Sequence, residues 1–280
     1  MTADLDARQF WDERVRTHGH TGDVDPLLYA YDQPQRLAAV RNSLARSGIQ
    51  LTPAMKVLDL GCGTGDFIAA FLEMGARDVT GVDFSREVLA QTQQRFAGNP
   101  LVRLMHNRVE ELALHAGSFD LITGINVLQH LTTKEMFSTA VETIVRLATG
   151  AGHVLVMDFS PIRIKPTTAT AYIIMRTRDE YVATFEQAGC RLVGDYGLPR
   201  IGVRAYRSLQ MLLRLLRKKD NAAPVATASR VTTPVPRSAI GRFVRRSVLR
   251  LAHPLDSWLF PFPAGLTDMR ILVFKKSCTR

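Results

Sequence analysis

Cysteine is scarce in these 280 residues: Cys62, Cys190 and Cys278 stand far apart. Three unclustered thiols exclude a disulfide framework and a cysteine zinc site, so no metal is expected and a reducing compartment is. No stretch approaches the roughly 18 uninterrupted apolar residues that a spanning helix requires. The opening decapeptide MTADLDARQF is acidic and polar, which argues against a secretory signal. A cytoplasmic protein is the expectation, with peripheral membrane association as the one addition. Repeats are absent too. What remains is ordinary: 46% hydrophobic and 22% charged residues, the composition of a soluble chain with a full core. The net charge of +10 is the exception, because it is concentrated. From Arg200 to Arg250 there are 13 Lys/Arg against one acid, Asp220, so one segment carries the entire basic excess.

Hydrophobic periodicity divides the chain into three parts. Residues 1–50 read as helices, RQFWDERVRTHG and QPQRLAAVRNSLARSG, the second closed by Gly48, with HGHTGDVDPLLYAYD between them as a loop or lid. Strands then alternate with helices: MKVLDL, DVTGVDF, LVRLMHN, SFDLITGIN and GHVLVMDF are strands, joined in part by amphipathic segments. Ser85 is placed to cap the helix after DVTGVDF, and Thr177 with Glu180 forms a capping box before the strand CRLVGDYG. This alternation predicts an α/β fold, a doubly wound Rossmann-like, mostly parallel sheet with helices on both faces. Residues 199–265 break the pattern as a basic helical insertion, YRSLQMLLRLLRKK and AIGRFVRRSVLRLA around the Pro/Ala/Thr-rich linker DNAAPVATASRVTTPVP. DMRILVFKK supplies the last strand, so the core is expected at 51–198 and 266–280.

The ligand is read from VLDLGCGTG, a buried strand ending in Gly61, Gly63 and Gly65. No Lys follows, which excludes a P-loop. Asp59 precedes the first glycine by two residues, where a carboxylate repels a pyrophosphate but suits an ammonium group. Asp83 ends the next strand, where it can accept from both ribose hydroxyls. A ribose, an ammonium group and no pyrophosphate together describe S-adenosylmethionine.

Residues 56–160 resemble the class I S-adenosylmethionine-dependent methyltransferases of small-molecule type, through VLDLGCGTG, GVDFS, SFDLITGINVLQHL and, beyond them, FEQAGCRL. The resemblance implies that the backbone of Gly61, Cys62, Gly63 and Gly65 meets the methionine part and ribose, with Asp59 near the ammonium group. It places Asp83 on the ribose and Phe84 on the adenine face, where the alternative is an ordinary core aromatic. Many members carry an Asp after the third strand for the adenine amino group. Here HNRVEEL has Arg108 there, and Arg cannot accept, so the backbone at Arg108 and Val109 takes that contact. The N-terminal segment resembles lid helices, from which Tyr31 and Arg36 would meet the cofactor carboxylate; packing and a solvated arginine are the alternative.

After the fourth strand, GINVLQHL faces the transferred methyl group in this family, and it contains Asn126, Gln129 and His130. His130 is the candidate general base, with a structural histidine as the alternative; His18, His20 and His153 are less well placed. An Asn/Asp-Pro-Pro-aromatic motif for nucleic-acid bases is missing, and no Cys sits where cytosine carbon-5 chemistry needs one. The expected partner is a small-molecule, sugar or lipid acceptor, favouring an anionic one, with no specific nucleic acid. O-methylation is the first reading; N-methylation of an amino sugar or amine, or a silent cofactor-binding module, are the others. The insertion, at 204–250, suits a substrate cap or an interfacial helix pair on anionic lipid, against a packed cap with solvated arginines.

Overall fold

The structure, a computed structural model, describes residues 2–162, 173–218, 239–261 and 267–277. It divides into two compact units, one of residues 1–21, 37–198 and 262–280, the other of 22–36 and 199–261. The second unit therefore draws in residues 22–36, a segment read in the sequence as part of an N-terminal lid.

The first unit is built on seven strands: β1 (Lys56–Leu60), β2 (Asp78–Asp83), β3 (Val102–His106), β4 (Phe119–Ile125), β5 (Ala148–Phe159), β6 (Cys190–Gly197) and β7 (Met269–Lys276). Their order is β3-β2-β1-β4-β5-β7-β6. The first five are parallel, while β7 runs antiparallel between β5 and β6. The sheet is thus the Rossmann-like, mostly parallel one expected. Strand order reverses between β1 and β4, and the carboxyl ends of two such strands border the ligand-binding crevice of an open α/β sheet.

Near-continuous apolar strands are what burial on both faces demands. Leu58 and Leu60 of β1, Ile122 of β4, Val154 and Val156 of β5, and Leu272 and Phe274 of β7 share one core cluster. Two helices complete that cluster: α5 (Lys134–Leu147), through Phe137, Val141 and Ile144, and α6 (Arg178–Gln187), through Tyr181 and Phe185. Ring contacts lock them, Phe185 stacked on Phe274 at 4.2 Å and Phe137 edge-on to Tyr181 at 5.1 Å. Helices α3 (Asp66–Glu73) and α4 (Arg86–Arg95) pack on β2. Ser85 Oγ accepts from the Val88 amide and caps α4, and the Thr177–Glu180 capping box opens α6. Helix α1 (Thr2–His18) lies against α4, with Ser85 Oγ donating to Asp12 at 2.5 Å and Arg16 paired to Glu87 at 3.0 Å.

One boundary differs from the sequence reading. Helix α2 (Pro26–Arg46) begins inside the stretch expected as a loop. Asp25 Oδ1 accepts from the Leu27 amide at 3.0 Å, and Pro26, with no N–H to satisfy, occupies the first turn. The left-handed Gly48 (φ 72°) follows its end, as expected.

The second unit is helical. Helices α7 (Ile201–Lys218) and α8 (Ala239–Trp258) pack on the first part of α2. Leu28, Tyr31, Val203, Tyr206 and Leu249 form its core. Buried carboxylates tie it together. Asp256 accepts from the Tyr31 hydroxyl at 2.7 Å and from the Ile201 and Gly202 amides, which caps α7. Asp25 accepts from Tyr206 at 2.6 Å and Gln210 at 2.9 Å, with the fully buried Arg245 at 4.0 Å. The linker 220–236 lies outside the described residues.

Candidate functional site

At the end of β1 the chain must turn sharply enough to start α3 six residues later. Gly61 (φ 60°), Gly63 (φ 54°) and Gly65 (φ 83°) all adopt left-handed backbone, which L side chains avoid. Space forbids a side chain as well. A Cβ on Gly61 would lie 2.4 Å from Val127 Cγ2, and one on Gly63 would lie 2.8 Å from Thr21 Oγ1. The loop is held from outside by Asp83, whose Oδ2 accepts from the Gly63 amide and Oδ1 from the Ser85 amide, each at 3.0 Å. Thr92 Oγ1 adds a bond to the Gly63 carbonyl at 2.6 Å. Burial pushes the Asp83 carboxyl up, and the amides oppose that shift. Each of its oxygens keeps a further lone pair.

Asp59 is buried beneath the loop. Its Oδ1 accepts from Thr123 Oγ1 on the neighbouring β4 at 2.7 Å, and its Oδ2 is sealed from solvent with no hydrogen-bond partner. Burial raises this carboxyl to about 7, and the Asp83 charge adds to the rise. A buried acceptor left open in this way is costly unless a donor reaches it. A second such atom stands across the crevice. Asn126, directly after β4, is the one non-glycine residue with positive φ (58°) among the described residues, and its Oδ1 is buried without a partner. Its amide is tied to the Met157 carbonyl on β5 at 2.7 Å, so the strained conformation is imposed by the sheet.

The segment that follows is braced from three sides. Gln129 is buried, its Oε1 accepting from the Phe159 amide at 3.2 Å, which turns its Nε2 towards His130 Nε2 at 3.4 Å. Arg176 is buried against the same turn, donating to the carbonyls of Leu128, Leu131 and Thr133 while lying over the Phe137 ring at 4.2 Å. Asp158, at the end of β5, accepts from the Tyr181 hydroxyl at 3.1 Å; burial raises its carboxyl to about 8. The fourth neighbour is Trp11 of α1, edge-on to the His130 ring at 5.3 Å.

Asp59, Gly61, Cys62, Gly63, Gly65, Asp83 and Asn126 therefore converge on one crevice. Phe84 and the Arg108–Val109 pair follow the ends of β2 and β3, and the Asn107 amide bonds the Asp83 carbonyl at 3.1 Å. Phe84 is half-buried, and its carbonyl meets His106 Nε2 at 3.0 Å; Arg108 pairs with Glu110 at 2.8 Å. His153 sits on β5 in register with Leu121 and Lys275, near the amino-terminal end of β4 and away from the crevice. Tyr31 and Arg36 differ from expectation. The groups expected to meet a ligand carboxylate engage carboxylates of the chain itself, Tyr31 with Asp256 and Arg36 with Asp32 at 2.7 Å, both within the helical unit. Trp11, Thr21 and Arg176 escaped the sequence reading. Only the aromatic at the heart of α1 offered any signal.

Residues 57–152 match the family model described as Methyltransferase domain. That match is the methyltransferase domain itself and takes in about a third of the chain, from β1 into β5. The Nitrosococcus oceani ubiquinone biosynthesis O-methyltransferase is 31% identical over 128 residues, 45% of this chain and 47% of that protein. The Staphylococcus aureus demethylmenaquinone methyltransferase is 41% identical over 71 residues, 25% of this chain and 30% of that one. The chain thus spans less than half the length of these curated relatives. The Burkholderia thailandensis 1,6-didemethyltoxoflavin-N1-methyltransferase structure shares the fold with a TM-score of 0.53 at 21% identity, covering 88% of this chain and 80% of its own. The family cofactor is S-adenosylmethionine, and the crevice suits it. A cationic amine would answer the open Asp59 Oδ2, and ribose hydroxyls would answer the acceptor-only Asp83.

Proposed function

We propose that the chain transfers a methyl group to an oxygen of a small-molecule acceptor. Bound S-adenosylmethionine supplies an electrophilic methyl group on a sulfonium. In this reading Asp59 receives the ammonium group, Asp83 the ribose hydroxyls, Phe84 the adenine face, and the backbone at Arg108 and Val109 the adenine amino group. The amides and left-handed backbone of Gly61 to Gly65 fix the methionine part. Such positioning is most of the catalysis an in-line displacement needs.

The observation that carries the choice of oxygen is His130. A neutral hydroxyl is a weak nucleophile and loses its proton as the new bond forms, so a base must stand nearby. The Gln129 amide N–H faces His130 Nε2, favouring the tautomer whose lone pair is on that nitrogen. An acceptor hydroxyl would take the place of the Gln129 N–H on Nε2 and pass its proton to that lone pair as its oxygen gained the methyl group, the electron pair of the broken C–S bond remaining on sulfur. Trp11 supplies an apolar wall beside the base, suited to an acceptor with a flat ring. The relatives named for ubiquinone biosynthesis O-methylation and demethylmenaquinone methylation favour small ring-bearing acceptors, so phenols and enols are the first class to screen, then sugars and anionic lipids.

The test is His130→Ala, assayed for methyl transfer to a panel of hydroxylated acceptors and for S-adenosylhomocysteine binding. The proposal expects turnover to fall by about 10²-fold or more with cofactor affinity unchanged. Undiminished turnover, or transfer confined to amines, overturns it.

A further inference from the structure

Helix α8 presents three distinct faces. At about 100° per residue, Arg245, Leu249, Ala252 and Asp256 fall within one narrow arc, and all four are buried against the helical unit's core. Phe243, Val244, Leu251, Leu255 and Trp258 share a second arc of about 120°. These five are exposed, Phe243 to 71%, Leu251 to 76% and Trp258 to 80%. Between the two, on one side, lie Arg246, Arg250 and His253, with Arg246 and Arg250 open to solvent. A stable fold gains nothing from five large apolar side chains in water, and their alignment along a 20-residue helix makes a continuous stripe.

We infer that the outer face of α8 docks on the surface of an anionic lipid bilayer. The stripe is about 22 Å long and lies along the helix, so it can enter the acyl boundary only with the helix parallel to the membrane plane. Trp258 and Phe243, near its two ends, are the amphipathic and aromatic side chains that settle at headgroup depth. Arg246 and Arg250 flank the stripe at the height of lipid phosphates. The buried face is already engaged within the helical unit, Arg245 facing Asp25 at 4.0 Å and Asp256 accepting from Tyr31 and two backbone amides, so docking needs no rearrangement of that unit. A second copy of the chain fits this face less well. Antiparallel two-fold pairing of the stripes sets each basic flank beside its own copy, where like charges repel. No described helix is long and apolar enough to cross a membrane, so the mode is surface binding. This inference is independent of the methyl-transfer reading.

The test is flotation of the full chain with phosphatidylcholine vesicles, with and without 30% phosphatidylglycerol. Association with the anionic vesicles, weakened by raised salt, is expected. Arg246→Gln and Arg250→Gln each lower partitioning about fivefold, and Leu251→Asp lowers it at least about tenfold. Arg191→Gln, an exposed charge on β6, leaves partitioning unchanged. Brominated lipid quenches the Trp258 fluorescence, and Trp258→Phe removes that quenching while binding persists. These side chains are exposed, so the variants should melt like the parent, which the melting curve checks. Failure of the full chain to float with anionic vesicles at 50 mM salt overturns the inference. So does binding indifferent to Leu251→Asp, or a solution dimer that Leu251→Asp dissociates while vesicles bind neither form.

Discussion

Asp59 couples cofactor binding to pH, with a sign and size that follow from its burial. Without ligand its carboxyl titrates near 7, chiefly because it is buried. An ammonium group on Oδ2 favours the ionised form and lowers that value by about 2 units, in the usual range for an opposite charge in contact. Below pH 7 the ligand ammonium stays protonated, so Asp59 alone changes state. At pH 6 binding should release about 0.8 proton, falling towards zero by pH 8. Affinity for S-adenosylhomocysteine should accordingly rise about tenfold from pH 5.5 to pH 7. Isothermal titration in buffers of different ionisation enthalpy reads the proton count directly. Asp59→Asn, which cannot ionise, should bind weakly and without this pH slope. Equal wild-type affinity at pH 5.5 and 7, or an unchanged slope in Asp59→Asn, would refute the argument.

Other perturbations follow from the same contacts. Gly61→Ala should cost about 1–2 kcal/mol for left-handed backbone and about 1–3 kcal/mol for the Val127 contact. Adding Val127→Ala should relieve only the second part, giving a favourable coupling in urea unfolding; strict additivity would show that Val127 is not the obstacle. Asp83→Asn exchanges an acceptor oxygen for an amide donor facing a backbone N–H, so S-adenosylhomocysteine affinity should fall at least about tenfold, with about 1–3 kcal/mol of stability. Arg176→Met should leave three carbonyls without their donor, two of them buried, and lower the melting temperature. If turnover falls in step with His130→Ala while cofactor affinity holds, the arginine acts by positioning the His130 turn.

Local patterns revealed the parts of this molecule that local forces build. The strands announced themselves as short apolar runs, and Ser85, Thr177 with Glu180 and Gly48 each marked a helix end that the structure shows. The crevice was legible for a related reason: Gly61, Gly63, Gly65, Asp59 and Asp83 sit at or beside strand ends whose order the βαβ pattern dictates. Asp25–Pro26 carried the cap signal for α2 and was passed over among turn formers. Trp11 beside His130 and Arg176 on the Leu128–Thr133 carbonyls join residues far apart in the chain, and no periodicity encodes such pairings. Tyr31 and Arg36 stayed open between two readings for the converse reason, since an aromatic or a guanidinium near a lid looks the same whether it meets a ligand or a buried carboxylate.

Strands β6 and β7 are antiparallel neighbours, paired from Cys190 with Lys276 through to Gly197 with Arg270. A bond from the Leu198 amide to the Met269 carbonyl at 2.9 Å pins the open end of this hairpin. Most of the helical unit is inserted at that point, where a turn of a few residues would suffice. Closing a connection of about 70 residues instead of about four adds only about 2.5 kcal/mol of chain entropy, because the term grows with the logarithm of length. Chain entropy therefore sets almost no limit on the size of what is inserted between these two strands, and the joint can carry a longer or shorter insertion at nearly the same entropic cost.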